Sequence, residues 1–145
     1  MDYKTGAIGR TLMIRLDEGD DLLENLTTIV KQEGITKAWF QILGGIRRAG
    51  VVIGPKKPVM PPEPVWQNVE DVREAIGSGS IFMDGEEPRI HLHAALGHHG
   101  DTITACVRKQ TKVYLTLEII LFELTGFEAG RPWYDEGGFN RLTFF

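Results

Sequence analysis

Apolar positions recur with two different periods along this chain, and each change of period marks an element. From Gly9 to Leu16 apolar and polar residues alternate, as a half-buried strand requires. Leu22, Leu23, Leu26, Ile29 and Val30 fall instead at helical spacing, which predicts a helix over 21–33 with one apolar stripe to lay on a sheet. Asp21 is its N-cap, Glu24 stands three residues on as in a capping box, and Gly34 ends it. Alternation returns in two strands, Ala38–Leu43 and Ile46–Ile53, separated by Gly44-Gly45 as a tight turn or bulge. The proline-rich stretch Pro55–Pro64 reads as a loop or edge segment, because proline cannot donate to a ladder. Val65–Gln67 follows as a short strand candidate. Val72–Ile76 reads as a short helical piece, after which Gly77-Ser78-Gly79-Ser80 leads into a strand. Those glycines read as structural, since no helix bearing a phosphate-binding lysine follows. Lys112–Leu124 is the longest strand candidate, and its apolar run suits a central strand or a subunit contact. The fold class expected is α+β, mostly antiparallel sheet with one main helix, in a single domain spanning 1–145.

Candidate chemistry concentrates between Arg89 and Val107. Two alternating runs, Arg89–Leu96 and Thr102–Val107, enclose the polar turn Gly97-His98-His99-Gly100-Asp101, which predicts an antiparallel hairpin. With His99-Gly100 as a two-residue loop, His98 faces Asp101, and counting back places Cys106 directly opposite His93. His91 and His93 share a face because strand side chains repeat every second residue. Two imidazoles and a thiolate on one surface suit a divalent metal, zinc by preference, with a fourth position left open to water or a small-molecule ligand. A one-residue slip of the turn would send Cys106 to the other face. His98 and His99, at the turn, read as exposed. Glu118 interrupts the apolar run of its strand and needs solvent, an arginine partner or an imidazole N–H, with the arginine pair favoured. Arg89 and Glu118 are the candidates to support the ligands from behind. No catalytic residue is assigned.

Composition narrows the partners. With 16 Lys and Arg against 20 Asp and Glu, the net charge is −4, and the cations are dispersed, which opposes unaided specific binding to duplex DNA. Gly130-Arg131-Pro132 matches the core of an AT-hook, yet Glu128, Trp133 and Asp135 around it supply none of the flanking cations, so it reads as a turn. The lone Cys106 excludes an intrachain disulfide and suits a reducing cytoplasm. No apolar run reaches membrane-spanning length, and residues 1–10 lack a signal-peptide core.

The run Gly85-Glu86-Glu87-Pro88-Arg89-Ile90-His91-Leu92-His93-Ala94, the glycine-containing turn, and Thr116-Leu117-Glu118-Ile119-Ile120 together resemble the "plants and prokaryotes conserved" (PPC or PCC) domain. The likeness runs from the strand beginning Gly9-Arg10 to Asp135–Leu142. What it implies is an α/β sandwich assembling as a homotrimer, in a stand-alone prokaryotic member provisionally labelled DNA-binding by analogy with plant proteins that carry AT-hooks. In several members the two strand histidines are joined by a third histidine from a Gly-Gly-His-Leu segment. Here Thr104-Ala105-Cys106-Val107 stands in that place, so the resemblance and the hairpin register reach the same residue. Three function classes follow: a metal-binding trimeric module, a DNA-binding regulator, and a metal-assisted hydrolase with Glu118 or another carboxylate as general base.

Overall fold

The computed structural model describes residues 1–145. Its strands are β1 (Ala7–Asp17), β2 (Lys37–Pro55), β3 (Pro64–Val69), β4 (Arg73–Asp84), β5 (Glu87–His98) and β6 (Asp101–Thr125), with the helix α1 (Leu22–Gln32) between β1 and β2. They form one sheet in the order β1-β6-β5-β4-β2-β3, and every ladder is antiparallel. β6 also pairs with β2, so the ladders β6-β5-β4-β2 return to β6. The mostly antiparallel sheet expected is present as one large curved sheet, whose curvature comes from two very long strands that each serve two sets of neighbours; the ladders do not themselves divide it into the layers of a sandwich. Four short strands, β7 (Ala129–Gly130), β8 (Trp133–Tyr134), β9 (Phe139–Asn140) and β10 (Thr143–Phe144), pair β7 with β10 and β8 with β9.

Three elements differ from the sequence expectation. Val72–Ile76 belongs with strand β4, where Arg73 faces Ile46 and Ile76 faces Leu43; cross-strand pairing overrides the weak local helix preference. Ala38–Leu43 and Ile46–Ile53 are one strand, and Gly44-Gly45 marks a register shift against β6, the bulge rather than the turn. The Lys112–Leu124 strand continues the His hairpin without a break, kinked at Gln110 and Leu115, which carry φ of 54° and 57°.

The concave side of the sheet holds the core. Alternate residues of β2 (Ala38, Phe40, Ile42), of β5 (Leu92, Ala94, Leu96) and of β6 (Leu117, Ile119, Leu121) are buried there with Leu22, Leu26 and Val30 of α1 in one cluster. Asp21 caps the helix as expected, accepting from the N–H groups of Leu23 and Glu24 at 3.2 Å each. Glu24 makes no return bond; the Thr111 hydroxyl donates to Asp21 at 2.9 Å and accepts from Leu23 N–H, tying the cap to β6. No helix is long and apolar enough to cross a membrane.

Candidate metal centre

The hairpin between β5 and β6 has the register that the turn predicts. His99 and Gly100 both take positive φ, 47° and 90°, the backbone of a type I′ turn, for which glycine at the second position is the natural choice. His98 faces Asp101, and His93 faces Cys106. Since Leu92, Ala94, Ala105 and Val107 point into the core, His91, His93 and Cys106 all point away from it.

Their ligand atoms lie within 4.8 Å of one another. The Nε2 atoms of His91 and His93 are 3.1 Å apart, and the rings meet edge to face at an interplanar angle of 86°. Cys106, although on the outer face, is only 7% exposed. Burial pushes its thiol up, against the opposing pull of Arg108. His91 is pushed down to about 4, first by desolvation and then by the positive fields of Arg131, His93 and Arg108. It is therefore a neutral imidazole at physiological pH, the form that coordinates metals.

The floor under these residues is made by β4. Ser78 faces His93 and Ser80 faces His91 on the outer side, while Gly77 and Gly79 point inward. Gly79 lets β4 approach closely: a Cβ there would meet Phe40 Cζ at 2.4 Å and the His91 carbonyl oxygen at 2.6 Å. The glycine-serine alternation is thus a packing device, as expected, and it sets the height of the histidine strand.

The two supporting residues expected from sequence occupy different places. Glu118 is exposed and lines an apolar groove with Met13, Leu43 and Ile76. It faces Arg15 across the ladder, yet the Arg15 guanidinium turns to Asp17 at 3.0 Å, so the favoured arginine pair is not made. Glu118 makes no hydrogen bond to either imidazole. Arg89 is held by Asp84 at 3.0 Å and lines the same cavity as His91. His98 is less free than expected, its Nδ1 lying 2.9 Å from the Val72 carbonyl oxygen.

Sequence reasoning missed Arg131. Gly130-Arg131-Pro132 is an extended segment, not a turn: Arg131 N–H donates to the Met83 carbonyl at 2.7 Å, and the residue is only 7% exposed. Its Nη2 donates to Ser80 Oγ at 2.8 Å, directly beside His91. A guanidinium so buried cannot enter a DNA minor groove in this conformation.

A comparison with curated proteins finds no sequence match. Among solved structures, a metal-containing protein from Archaeoglobus fulgidus superposes with a TM-score of 0.85 at 22% identity, covering 99% of each chain. A plant- and prokaryote-conserved (PPC) protein from Pyrococcus horikoshii gives 0.80 at 24% identity, covering 97% of this chain and 96% of its own. A protein from Ralstonia eutropha provisionally described as DNA-binding gives 0.76 at 20% identity, covering 90% and 89%. These likenesses establish a shared fold. With the Plants and Prokaryotes Conserved (PCC) domain matched over residues 3–125, the chain belongs to the PCC domain family.

Proposed function

We propose that His91, His93 and Cys106 hold one divalent metal ion, zinc by donor preference, in a chain that works as a homotrimer. The observation that carries this reading is the convergence of three soft donors within 4.8 Å on one face of a rigid hairpin. The donor set fits the ion. Two nitrogens on a tetrahedral zinc stand about 3.3 Å apart, close to the 3.1 Å between the two Nε2 atoms. Bound there, zinc supplies Lewis acidity, moderated by the charge of the thiolate. The metal-containing description of the Archaeoglobus protein, which shares this fold, adds support. Purified chain loaded with zinc and dialysed is expected to retain about one ion per chain, by elemental analysis against protein concentration; retention no greater than that of a metal-free control protein would refute the assignment.

The chemistry of Cys106 gives a second expected result. Its thiol is held neutral by burial, whereas the ligand is the thiolate, so zinc uptake at pH 7 must expel that proton. His91, already neutral, adds none. Affinity is therefore expected to rise with pH across 6 to 8, and calorimetry in buffers of different ionisation heat should detect proton release. Zero protons released at pH 7 would contradict the thiolate ligand.

Self-association is supported by the outer face of the sheet. Met13, Leu43 and Ile76 are 67%, 59% and 64% exposed around one groove, an apolar surface that is costly on a monomer. Light scattering is expected to give three times 16.2 kDa, with Ile76→Glu driving the mass down towards one chain. A mass of one chain for the unaltered protein at micromolar concentration would contradict the trimer.

The other two function classes fit less well. Hydrolysis with Glu118 as base lacks support from the position of Glu118. DNA binding is opposed by the acidic balance of the chain and by the engagement of its cations: Arg47 is paired with Glu18, Arg48 with Glu70, and Arg131 is buried.

A further inference from the structure

The cavity beside His91, about 870 Å³, is lined by Arg89, Arg108, Arg131 and Arg141 and by no carboxylate at all. That is a sharp local imbalance in a chain with 20 acidic and 16 basic residues. Only one of these arginines has an ion-pair partner within the chain. Arg89 is paired with Asp84, and Arg141 lies over the Tyr134 ring at 5.0 Å. Arg108 and Arg131, like Arg141, have no ion-pair partner.

Arg131 is the more telling of the two. The residue is only 7% exposed, its Nε has no hydrogen-bond partner, and its one side-chain hydrogen bond runs to the neutral Ser80 hydroxyl. A stack on Phe82, at 5.5 Å, offsets part of the desolvation. A buried charge without a counter-charge is nevertheless costly, and such a group is kept where something else supplies the opposite sign. Its position is also built rather than accidental: the backbone is pinned by Met83 on one side and by Asn140, which donates to the Arg131 carbonyl at 3.0 Å, on the other. Trp66, Trp133 and Phe139 add apolar walls to the same cavity, the combination typical of small-molecule sites.

We propose that this cavity binds a small molecule bearing an oxyanion, carboxylate or phosphate, gripped by Arg131 and Arg108 with its apolar body against the aromatic wall. A guanidinium fork suits either oxyanion by paired N–H donation. His91 lines the cavity, so the anion lies next to the proposed metal centre; the binding itself rests on the arginines and does not require the metal.

The test is calorimetric and fluorescence titration of the full-length chain with phenyl phosphate and benzoate, which separate the two oxyanions, and with benzamide as the uncharged isostere. Each titration is made on zinc-loaded and on chelator-stripped protein. Saturable binding of at least one anion, with benzamide weaker by roughly tenfold or more, is expected in both forms. Arg131→Gln should weaken that anion by about tenfold or more, and Arg108→Gln by several-fold. Because Arg108 is exposed, its variant keeps the proposal testable should Arg131→Gln fail to fold. Failure of zinc binding leaves the stripped-protein result standing, so the two readings fail separately. Equal binding of benzoate and benzamide, or no anion binding by folded protein in either form, would overturn the proposal. A loss of oligomer mass in Arg131→Gln without anion binding would also overturn it, assigning the guanidinium to a carboxylate of another copy.

Discussion

His93→Ala is expected to lower zinc affinity by well over a hundredfold while leaving the fold intact. Changing a residue that merely supports a metal ligand costs about 10–100-fold in affinity, so deleting a ligand must cost more. His93 is the central donor of the three, opposite Cys106 on the next strand and 3.1 Å from His91 through Nε2. The imidazole is exposed and leaves no cavity in the core, so thermal unfolding of the metal-free protein should be nearly unchanged. Competition with a chromophoric chelator measures the affinity, and circular dichroism checks the fold. Cys106→Ser should behave similarly, because a hydroxyl is a far weaker zinc ligand than a thiolate. An affinity within threefold of the parent in both variants would mean that these side chains are not the ligands.

Gly79→Ala is expected to destabilise the chain by roughly 3 kcal/mol, the upper part of the range for overpacking, and to lower Tm by roughly 6–12 °C for a chain of this size. Gly79 faces both Phe40 and Leu92 across its two ladders. The Phe40 ring is fully buried and fills the space a side chain would take, with Cζ only 2.4 Å from the position of an added Cβ. Backbone blocks retreat on the other side, where the His91 carbonyl oxygen stands 2.6 Å away. Relief must therefore come from movement of β4 against β5, which also displaces the histidine strand, and zinc affinity should fall together with stability. Unchanged Tm by scanning calorimetry would show that the packing at Gly79 is looser than the geometry implies.

The clustering of His91, His93 and Cys106 was legible in the sequence because every step leading to it is local. Strand periodicity puts His91 and His93 on one face, and the His99-Gly100 turn determines which residue stands opposite His93. The helix was legible for the same reason, through its apolar spacing and the Asp21 cap. Closure of the sheet was not, since the ladder between β2 and β6 joins residues far apart in sequence, such as Ala38 and Glu123, and no local pattern encodes it. Glu118 was misplaced for that reason: alternation correctly puts it on the outer face, but which outer residues neighbour it depends on strand order. The row Cys106, His93, Ser78, Gln41, Ile120 and Met13 runs across the outer face through five successive pairings, and Glu118, paired with Leu43 and Arg15, lies two residues along β6 from the far end of that row. Arg131 left no periodic signal at all. It sits in a short extended segment whose partners, Met83 and Ser80, lie some fifty residues earlier, and only its missing counter-charge in the folded chain marks it out.

Diffraction recorded above and below the zinc absorption edge from zinc-loaded crystals decides whether His91, His93 and Cys106 form a single metal centre. One anomalous peak per chain is expected, bonded to an imidazole nitrogen of His91, an imidazole nitrogen of His93 and the Sγ of Cys106. A peak elsewhere on the chain, or none at this site in protein shown to contain zinc, would contradict it.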